Sequence, residues 1–519
     1  MAFFTVIFIN DCFSQVWIRD IKLERNDVFD SSEVRKIPGA GIINALHIKT
    51  KPYVIEDELL FKEGDKINLP LIEETERNLR DMNLFTEVRI EFDSVDPGLY
   101  DVYVVTKDRW STMPAVLFGT GGGEQSYGAR LEEYNFLGTG NYFLVEGLYR
   151  SENDIRWQGE FETRIRRIFR SDYNINFFLQ ANRFRTNQQL MLFKPYHTLA
   201  TKYAYGVQGV NNFGEDFLYI SKDSFELMPF RERVAKAWFS RGWMREDRVF
   251  ATGYLALSET DRGRPEFQRA FDNSGRFLMS FSSVSQDFVK ATKLNTYQTE
   301  DLPVGGWGNA VLGKIFPIGS KGENLYYVAG QGELSYLDDR IYLFGQLTGA
   351  SAFKQAQGQY TYEEFLGLGF LRFSEDFLLA GRIRQQTVWN WPRLRQLVLD
   401  NETGLRGYEL NQLAGDNRII GNLEFRAFPD IEILILKISA AAFYDFGTVW
   451  DQDTDLTDTR WHNSVGFGLR LHNIISTGDD SILRIDFAYN FDENRFGSII
   501  FTTDQLFSIF KKHEYRLPQ

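Results

Sequence analysis

Residues 483–491 read LRIDFAYNF and alternate between apolar and polar or small side chains. Leu483 and Ile485 belong to the apolar row, whereas Arg484 and Asp486 belong to the other row. A period of two residues is typical of a β-strand, because successive side chains point to opposite faces. This stretch therefore predicts a strand with one apolar face and one polar face.

The same alternation recurs from about residue 113 to 505, for example in 155–162 and 465–472, without a convincing amphipathic helix. A soluble β-sandwich or propeller would also alternate. Here charged faces recur throughout and aromatic residues make up 15% of the chain, which favours a barrel with lipid outside and water inside. The soluble sheet remains the alternative.

The predicted fold class is an all-β transmembrane barrel of about sixteen antiparallel strands or more, preceded by a small α/β domain. The candidate strands are nearer to twenty, since three segments are either strands or hairpins in extracellular loops. These segments are 187–195, 214–223 and 289–297.

Composition excludes several other classes. The net charge of −13 and the pI near 5.1 argue against a general nucleic-acid binder, which needs basic surface to neutralise phosphates. The single cysteine, Cys12, excludes a disulfide framework and any cysteine-built metal site. The sequence contains no run of 18 or more apolar residues, so no ordinary transmembrane helix is predicted.

The first fourteen residues, MAFFTVIFINDCFS, combine a short apolar core with the small residues Cys12 and Ser14. We interpret 1–14 as a signal peptide with a truncated start, cleaved after Ser14. A buried first strand is the alternative.

Residues 16–107 differ in texture from the rest of the chain, and 41–107 show helical periodicity between short strands. Asn68 is a candidate N-cap, Pro70 lies in the first turn, and Ile72, Leu79 and Met82 share a face. The predicted elements are a strand pattern at Leu46–Ile48, helices at 52–61 and 68–82, and strands at 85–92 and 99–106. This order predicts a small α/β module.

Several segments in order resemble the BamA/TamA family of outer-membrane insertases, the bacterial surface antigen family, and its relatives in two-partner secretion. They are EETERNLRDMNLFTEVRI at 73–90, LFGTGGGEQSYGARLEEYNFLGTGN at 117–141, LRGY at 405–408, GNLEFRAF at 421–428 and FYDFGTVWD at 443–451. The resemblance implies a barrel in the outer membrane of a Gram-negative bacterium.

The same resemblance implies the domain organisation. Residues 15–110 resemble a polypeptide-transport-associated (POTRA) domain in the periplasm, with an N-terminal strand extension. Residues 111–507 form the barrel and 508–519 a C-terminal tail. Only one POTRA-like module is evident, whereas the essential insertases of the family carry several.

A loop motif at 390–416 is the first candidate functional feature. Alternation places Glu424 on the polar face of its strand, and the family pattern places Asp445 in the lumen. A guanidinium binds carboxylates through paired hydrogen bonds, so we expect Arg406 near Glu424 or Asp445, with the loop folded into the lumen. A solvated Arg406 and ordinary lumen charges are the alternatives. The motif residues are Leu405, Arg406, Gly407, Tyr408, Glu424 and Asp445.

A lateral seam between segments 113–121 and 496–505 is the second candidate. Glycines weaken the first strand because they add backbone entropy and no packing. The candidate seam residues are Phe118, Gly119, Gly121, Ile500 and Phe501.

Motifs for catalysis are missing from the sequence: there is no Gly-x-Ser-x-Gly, His-Glu-x-x-His or Walker motif. The five histidines lack ligand spacing, and the glycines at 119–123 lack the helix of a nucleotide loop. The arginines at 164–167 are interpreted as a periplasmic or interfacial turn rather than an anion site. The chain is therefore expected to be no enzyme and to bind no cofactor or metal.

Two functions remain. The first is insertion or translocation of unfolded outer-membrane or secreted polypeptides, with outer-membrane lipid and periplasmic or lipoprotein partners. A POTRA-like sheet edge would add a strand from the client, and the seam would open. The second is a passive channel with a periplasmic anchor domain.

Overall fold

The fold was read from a computed structural model of the chain. The residues that the structure describes are 16–121, 124–198, 200–221, 224–244, 248–264, 272–297, 299–319, 323–390, 397–433, 436–473, 482–497, 500–502 and 506. The predicted signal peptide and the tail from 508 onward lie outside these residues.

The chain divides into two compact units. Among the described residues, the first unit contains everything up to Met113 together with Leu131–Phe143. The second unit contains Pro114–Arg130 and the described residues from Leu144 onward.

In its described residues, the first unit has a three-stranded sheet and four α-helices. Its elements are β1 (Trp17–Asn26), α1 (Ser31–Lys36), α2 (Ala40–Leu46), α3 (Pro52–Glu56), α4 (Leu69–Asp81), β2 (Phe85–Asp96) and β3 (Leu99–Asp108). The strand order is β1-β3-β2, with β1 parallel and β2 antiparallel to β3. The predicted helix at 68–82 and both predicted strands are present, and β1 completes their sheet.

Two local predictions in this unit are wrong. The segment Leu46–Ile48 is not a strand, because α2 ends at Leu46 and three residues are too few to define a period. The helix predicted over 52–61 stops at Glu56, since Leu60 N instead donates to Thr75 Oγ1 of α4 at 3.2 Å.

Helix α1 was not predicted, although its start signal is present in the sequence. The Asp30 carboxylate accepts from Ser32 N at 2.7 Å and Glu33 N at 2.9 Å, and Glu33 Oε2 accepts from Asp30 N at 2.7 Å. Such a reciprocal capping box is readable as an acidic N-cap followed three residues later by Glu.

The core of the first unit lies between its sheet and helices. Ile18 from β1, Ile55 from α3, Leu79 from α4 and Val102 and Val104 from β3 are fully buried in one cluster. Each element thus buries one apolar face, which accounts for the amphipathic period of α4.

The NFLGTG turn at 135–140 also belongs to the first unit. Asn135 Nδ2 donates to Thr50 Oγ1 at 2.8 Å, and Asn135 Oδ1 accepts from Gly140 N at 2.7 Å. Gly138 has a φ of +73°, and a Cβ there would lie 2.5 Å from Lys49 O. The close approach and the positive φ together require glycine at this position.

The remaining strands form one closed barrel and a small separate hairpin. The barrel strands are β4 (Thr112–Gly121), β5 (Glu124–Glu133), β6 (Tyr142–Arg150), β7 (Arg156–Ile165), β8 (Asn174–Ala181), β9 (Arg185–Lys194), β10 (Tyr203–Ser221), β11 (Ser224–Met244), β12 (Arg248–Asp261), β13 (Ser274–Ala291), β14 (Glu300–Pro317), β15 (Leu325–Leu337), β16 (Ile341–Lys354), β17 (Gln357–Arg372), β18 (Phe377–Trp389), β21 (Asn417–Ala427), β22 (Glu432–Ile433), β23 (Leu436–Trp450), β24 (His462–Asn473), β25 (Ile482–Asn490), β26 (Arg495–Phe496) and β27 (Ile500–Thr502). The hairpin strands are β19 (Leu397–Leu399) and β20 (Leu413–Gly415).

Strand order gives twenty positions around the described barrel. Segments β21 and β22 both pair with β23, and β26 and β27 both pair with β25, so each couple shares one position. The ring closes from β27 to β4. The expected barrel is confirmed, with more strands than sixteen.

Burial shows which face points inward. In β24 and β25 the apolar Phe467 and Leu483 are 57% and 40% exposed, whereas Arg470 and Asp486 are buried. An apolar outer face and a charged interior are the reverse of a soluble sandwich and fit a barrel in lipid. Among the described residues, no helix is long and apolar enough to cross a membrane.

One sector of the interior differs from the expected watery lumen. The inward side chains of β16–β18 are large and apolar and form a buried cluster with Phe428, while the outward neighbour Leu343 is 50% exposed. The cluster includes Tyr342, Phe344, Leu366, Leu368, Phe370 and Leu378. The prediction of a polar interior is wrong for this sector, because packed apolar side chains occupy it.

Candidate functional site

The loop between β18 and β21 is held by its own hairpin and by Asp400. The Asp400 carboxylate accepts from Thr403 N and Asn411 N, both at 2.9 Å, and Asp400 O accepts from Leu405 N at 2.8 Å. These bonds close the loop on itself, and Leu405 is fully buried. Asp400 therefore holds the backbone before Arg406 and the backbone after it.

Arg406 is completely buried and binds both predicted carboxylates. Its Nε and Nη2 donate to the two oxygens of Asp445, each at 2.7 Å, and its Nη1 donates to Glu424 Oε1 at 2.7 Å. The Cζ atom lies 3.4 Å from the centroid of the Phe443 ring. The structure thus brings Arg406, Glu424 and Asp445 together as one buried site.

A third carboxylate, Asp486, was not singled out from the sequence. Its Oδ2 accepts from Arg406 Nη1 at 3.2 Å, and its Oδ1 accepts from Arg470 Nη1 at 2.6 Å. Alternation predicts that Asp486 faces the same side as Arg484, but alternation carries no information on which strands are neighbours.

Buried charges in this network are nearly balanced. The acidic members are Glu424, Asp445 and Asp486, and the basic members are Arg406, Arg426, Arg470 and Arg484. A charge removed from water is costly unless it is paired and hydrogen-bonded, so each member depends on its neighbours.

The other two motif residues seat the loop against β24 and β25. Gly407 has a φ of +87°, and a Cβ there would lie 3.1 Å from the Ala488 Cβ. The buried Tyr408 hydroxyl donates to Asp492 Oδ2 at 2.9 Å and accepts from Asn463 N at 3.1 Å. Glycine and tyrosine therefore have separate physical roles in the motif.

Asn422 donates a hydrogen bond to Asp445, and the sequence did not single it out. Its Nδ2 donates to Asp445 Oδ1 at 2.7 Å and to Gly404 O at 2.8 Å. It is fully buried on β21, two residues before Glu424. The even spacing from Glu424 predicts only that both face inward.

A second segment enters the barrel from the opposite end. The turn 292–297 follows β13, and the loop follows β18, whose direction is opposite to that of β13 through five antiparallel steps. The Tyr297 hydroxyl donates towards two backbone carbonyls, Pro429 O at 2.7 Å and Ile438 O at 2.8 Å. Leu294 packs in the apolar cluster of β16–β18.

Glu424 connects the two segments. Its Oε1 accepts from Arg406 of the loop, and its Oε2 accepts from Arg426 Nε at 2.8 Å. Arg426 Nη1 in turn donates to Leu294 O and Asn295 Oδ1, each at 3.0 Å. One carboxylate on β21 thus joins segments that enter from opposite ends.

The predicted seam lies where β27 neighbours β4. Phe118 on β4 is 56% exposed, whereas Ile500 on β27 is buried. Among the described residues, β27 also pairs with β25. Gly119, Gly121 and Phe501 lie in these strands, but their surroundings are outside the described residues.

No group of three His, Cys, Asp or Glu side chains that could hold a metal ion occurs in the described part of the chain.

Comparison with known proteins gives similarities to solved structures only. No protein-family profile and no curated protein sequence matches the chain. BamA from Haemophilus ducreyi lacking POTRA domains 1–3 is similar at TM-score 0.42 and 12% identity, over 95% of this chain and 85% of that one. CdiB from Acinetobacter baumannii is similar at 0.44 and 10%, over 93% and 72%. CdiB from Escherichia coli is similar at 0.44 and 11%, over 91% and 72%.

Proposed function

We propose that this chain is an outer-membrane barrel of a Gram-negative bacterium that assists insertion or translocation of polypeptides. The observation that carries the proposal is the loop held inside a closed barrel by the fully buried Arg406. A passive channel needs an open interior, whereas here the loop, the turn 292–297 and the apolar cluster occupy part of it. The role requires no catalysis and no cofactor.

The first unit supplies a surface for an unfolded chain. In the order β1-β3-β2, strand β2 is an edge, and within the described sheet it pairs with β3 alone. An edge strand presents free backbone groups that can pair with an extended peptide. We assign the unit the role of a POTRA-like domain in the periplasm that receives outer-membrane or secreted polypeptides.

Depletion of the protein in its native host, followed by quantitative proteomics of the outer membrane and the secreted fraction, tests this function. We expect a subset of barrel or secreted proteins to fall severalfold, with recovery by the wild-type gene. An unchanged proteome combined with reduced uptake of small solutes would instead support the passive channel.

A further inference from the structure

The outer face of β8–β11 changes character at one end of the barrel. Cross-strand pairs align its outward apolar row, because Ile175 pairs with Leu192 and Leu192 pairs with Val207. Leu192 and Val207 are 41% and 53% exposed. An exposed apolar row at this position is suited to contact with lipid chains.

Two residues nearer the strand ends, the same outward face carries polar and aromatic side chains. Lys194 pairs with Tyr205, and Tyr203 pairs with Arg241. The hydroxyls of Tyr173 and Tyr205 are 2.7 Å apart. Tyrosines with cationic neighbours at the edge of an apolar band are typical of the level of lipid headgroups.

A pocket of about 430 Å³ opens at this edge, between the turn after β7 and the turn after β9. Its charged lining consists of Arg167, Asp172, Lys194 and Lys202, and it also includes His197 and Tyr203. The volume is within the range of small-molecule sites.

The lining carries more positive than negative charge. Asp172 Oδ2 accepts from Lys194 Nζ at 2.6 Å, and Asp172 Oδ1 lies 3.6 Å from Arg167 Nη1. Lys202, which lines the pocket, is exposed. Arg241 pairs with Tyr203 of the pocket lining, and its Cζ atom lies 5.0 Å from the centroid of the Trp243 ring. One carboxylate therefore orients two cations, and the excess charge is positive.

Tertiary structure creates this cluster. Within the arginine run at 164–167, Arg164 donates to Glu162 at 2.5 Å, and Arg167 alone lines the pocket. The lysines come from the next hairpin. The run was interpreted as a turn rather than an anion site, and it contributes only Arg167 to this pocket.

We propose that this pocket binds the phosphate headgroup of an anionic membrane lipid. The proposal rests on the barrel lying in a membrane, as proposed above. The cations contact the phosphate, the tyrosines lie at the glycerol level, and the apolar rows of β8–β11 follow the acyl chains. Strands β9 and β13 run in the same direction, so the site lies at the end where the turn 292–297 enters.

Native mass spectrometry of the full chain in a nonionic detergent tests the site, with phosphatidylglycerol or phosphatidylcholine as the added lipid. The wild type should retain phosphatidylglycerol preferentially. The triple variant Lys194→Gln, Lys202→Gln, Arg241→Gln should lose that preference by more than tenfold, since each interfacial charge is worth roughly fivefold.

The matched control is Arg35→Gln, Lys51→Gln, Lys62→Gln, which removes the same charges from exposed positions of the first unit. It should retain phosphatidylglycerol like the wild type. Equal losses in both variants would show a general charge effect and overturn the site. If the triple variant does not fold, Lys202→Gln alone should still lose roughly fivefold.

Two further measurements separate this proposal from the membrane location. Flotation with phosphatidylcholine vesicles reports membrane association independently of the anionic headgroup. A wild type that floats but shows no preference for phosphatidylglycerol contradicts the lipid site alone, and failure to float contradicts the membrane barrel. Displacement of bound phosphatidylglycerol by millimolar inorganic phosphate would show a free-anion site and overturn the lipid assignment.

Discussion

Arg406 serves three carboxylates at once because its guanidinium is planar and offers five donors in a fixed geometry. Two donors reach Asp445 in parallel, and a third group, Nη1, lies between Glu424 and Asp486. A lysine ammonium keeps the charge but cannot reproduce the paired bonds. Removing one partner of a buried ion pair costs about 3–5 kcal/mol, because the other charge remains buried.

Arg406→Ala should therefore destabilise the seated loop by about 3–5 kcal/mol and reduce client assembly strongly. Arg406→Lys should retain part of the activity. Arg164→Ala is the control, since its exposed pair with Glu162 is worth at most about 1 kcal/mol. Client yield in cells depleted of the wild-type protein measures the effect, and equal yields for Arg406→Ala and Arg164→Ala would contradict the assigned role.

In the first unit, Asp101 joins β1 to β3 through charge. The Arg19 guanidinium, followed by the Lys22 ammonium, lowers the pKa of Asp101 from 3.8 to about 2. Since the folded pKa is below the unfolded one, this stabilisation is present above pH 3.8 and is lost as the pH falls towards 2.

Hydrogen exchange of peptides from 17–26 and 99–108 in the full chain should show this loss. After correction for intrinsic exchange rates, protection should decrease between pH 4 and pH 2 in the wild type. Asp101→Asn should be less protected at pH 6 and should show a smaller further decrease on acidification. Identical pH profiles for the two proteins would refute the assignment.

At the scale of elements, strand β21 is the part that links the two inward segments. It carries Asn422, Glu424 and Arg426 on its inward face, all fully or almost fully buried. The loop bonds to the first two residues and the turn 292–297 to the third. The loop is thus connected to the turn through β21, beside the contacts that both segments make with β23.

Glu424→Gln tests this connection, because it keeps the size of the side chain and removes its charge. Hydrogen exchange should accelerate both in 397–415 and in 292–297. Asp445→Asn, the matched change at a residue that binds Arg406 and Asn422 but no residue of the turn, should accelerate exchange in 397–415 alone. The same response to both variants would exclude a specific role of Glu424 as the link.

At the scale of the whole molecule, the ring of strands closes between β27 and β4. A closed ring leaves no backbone edge in lipid, and an open edge costs several kcal/mol per unsatisfied group. We propose that the ring is able to open at this seam. An inserting barrel benefits from this property, whereas a passive channel does not.

Cysteine pairs across the closure, scanned near Phe118 and near Ile500, should stop client assembly on oxidation and restore it on reduction. The control pair is Leu347→Cys with Phe365→Cys, an exposed directly paired set between β16 and β17. Oxidation of the control should leave assembly unchanged. Normal assembly by the barrel cross-linked at β4 and β27 would favour the passive channel.

Much of the architecture could be predicted from period alone. Alternation identifies strands and the face of each side chain, and the helical period of 68–82 identifies α4. The placement of Glu424 inward follows from the same rule. The partnership of Arg406 with Glu424 and Asp445 was expected from motif order, and the structure shows its distances.

The sequence by itself thus predicted a barrel with an α/β module, and the family resemblance predicted that Arg406 lies in the lumen. The number of strands, the third carboxylate Asp486, the link through Glu424 and the basic pocket near Lys194 were decided only by tertiary structure. The physical reason is that a period of two specifies the face of a residue but not its cross-strand neighbour. Residues 80 positions apart, such as Arg406 and Asp486, meet only once the sheet has closed.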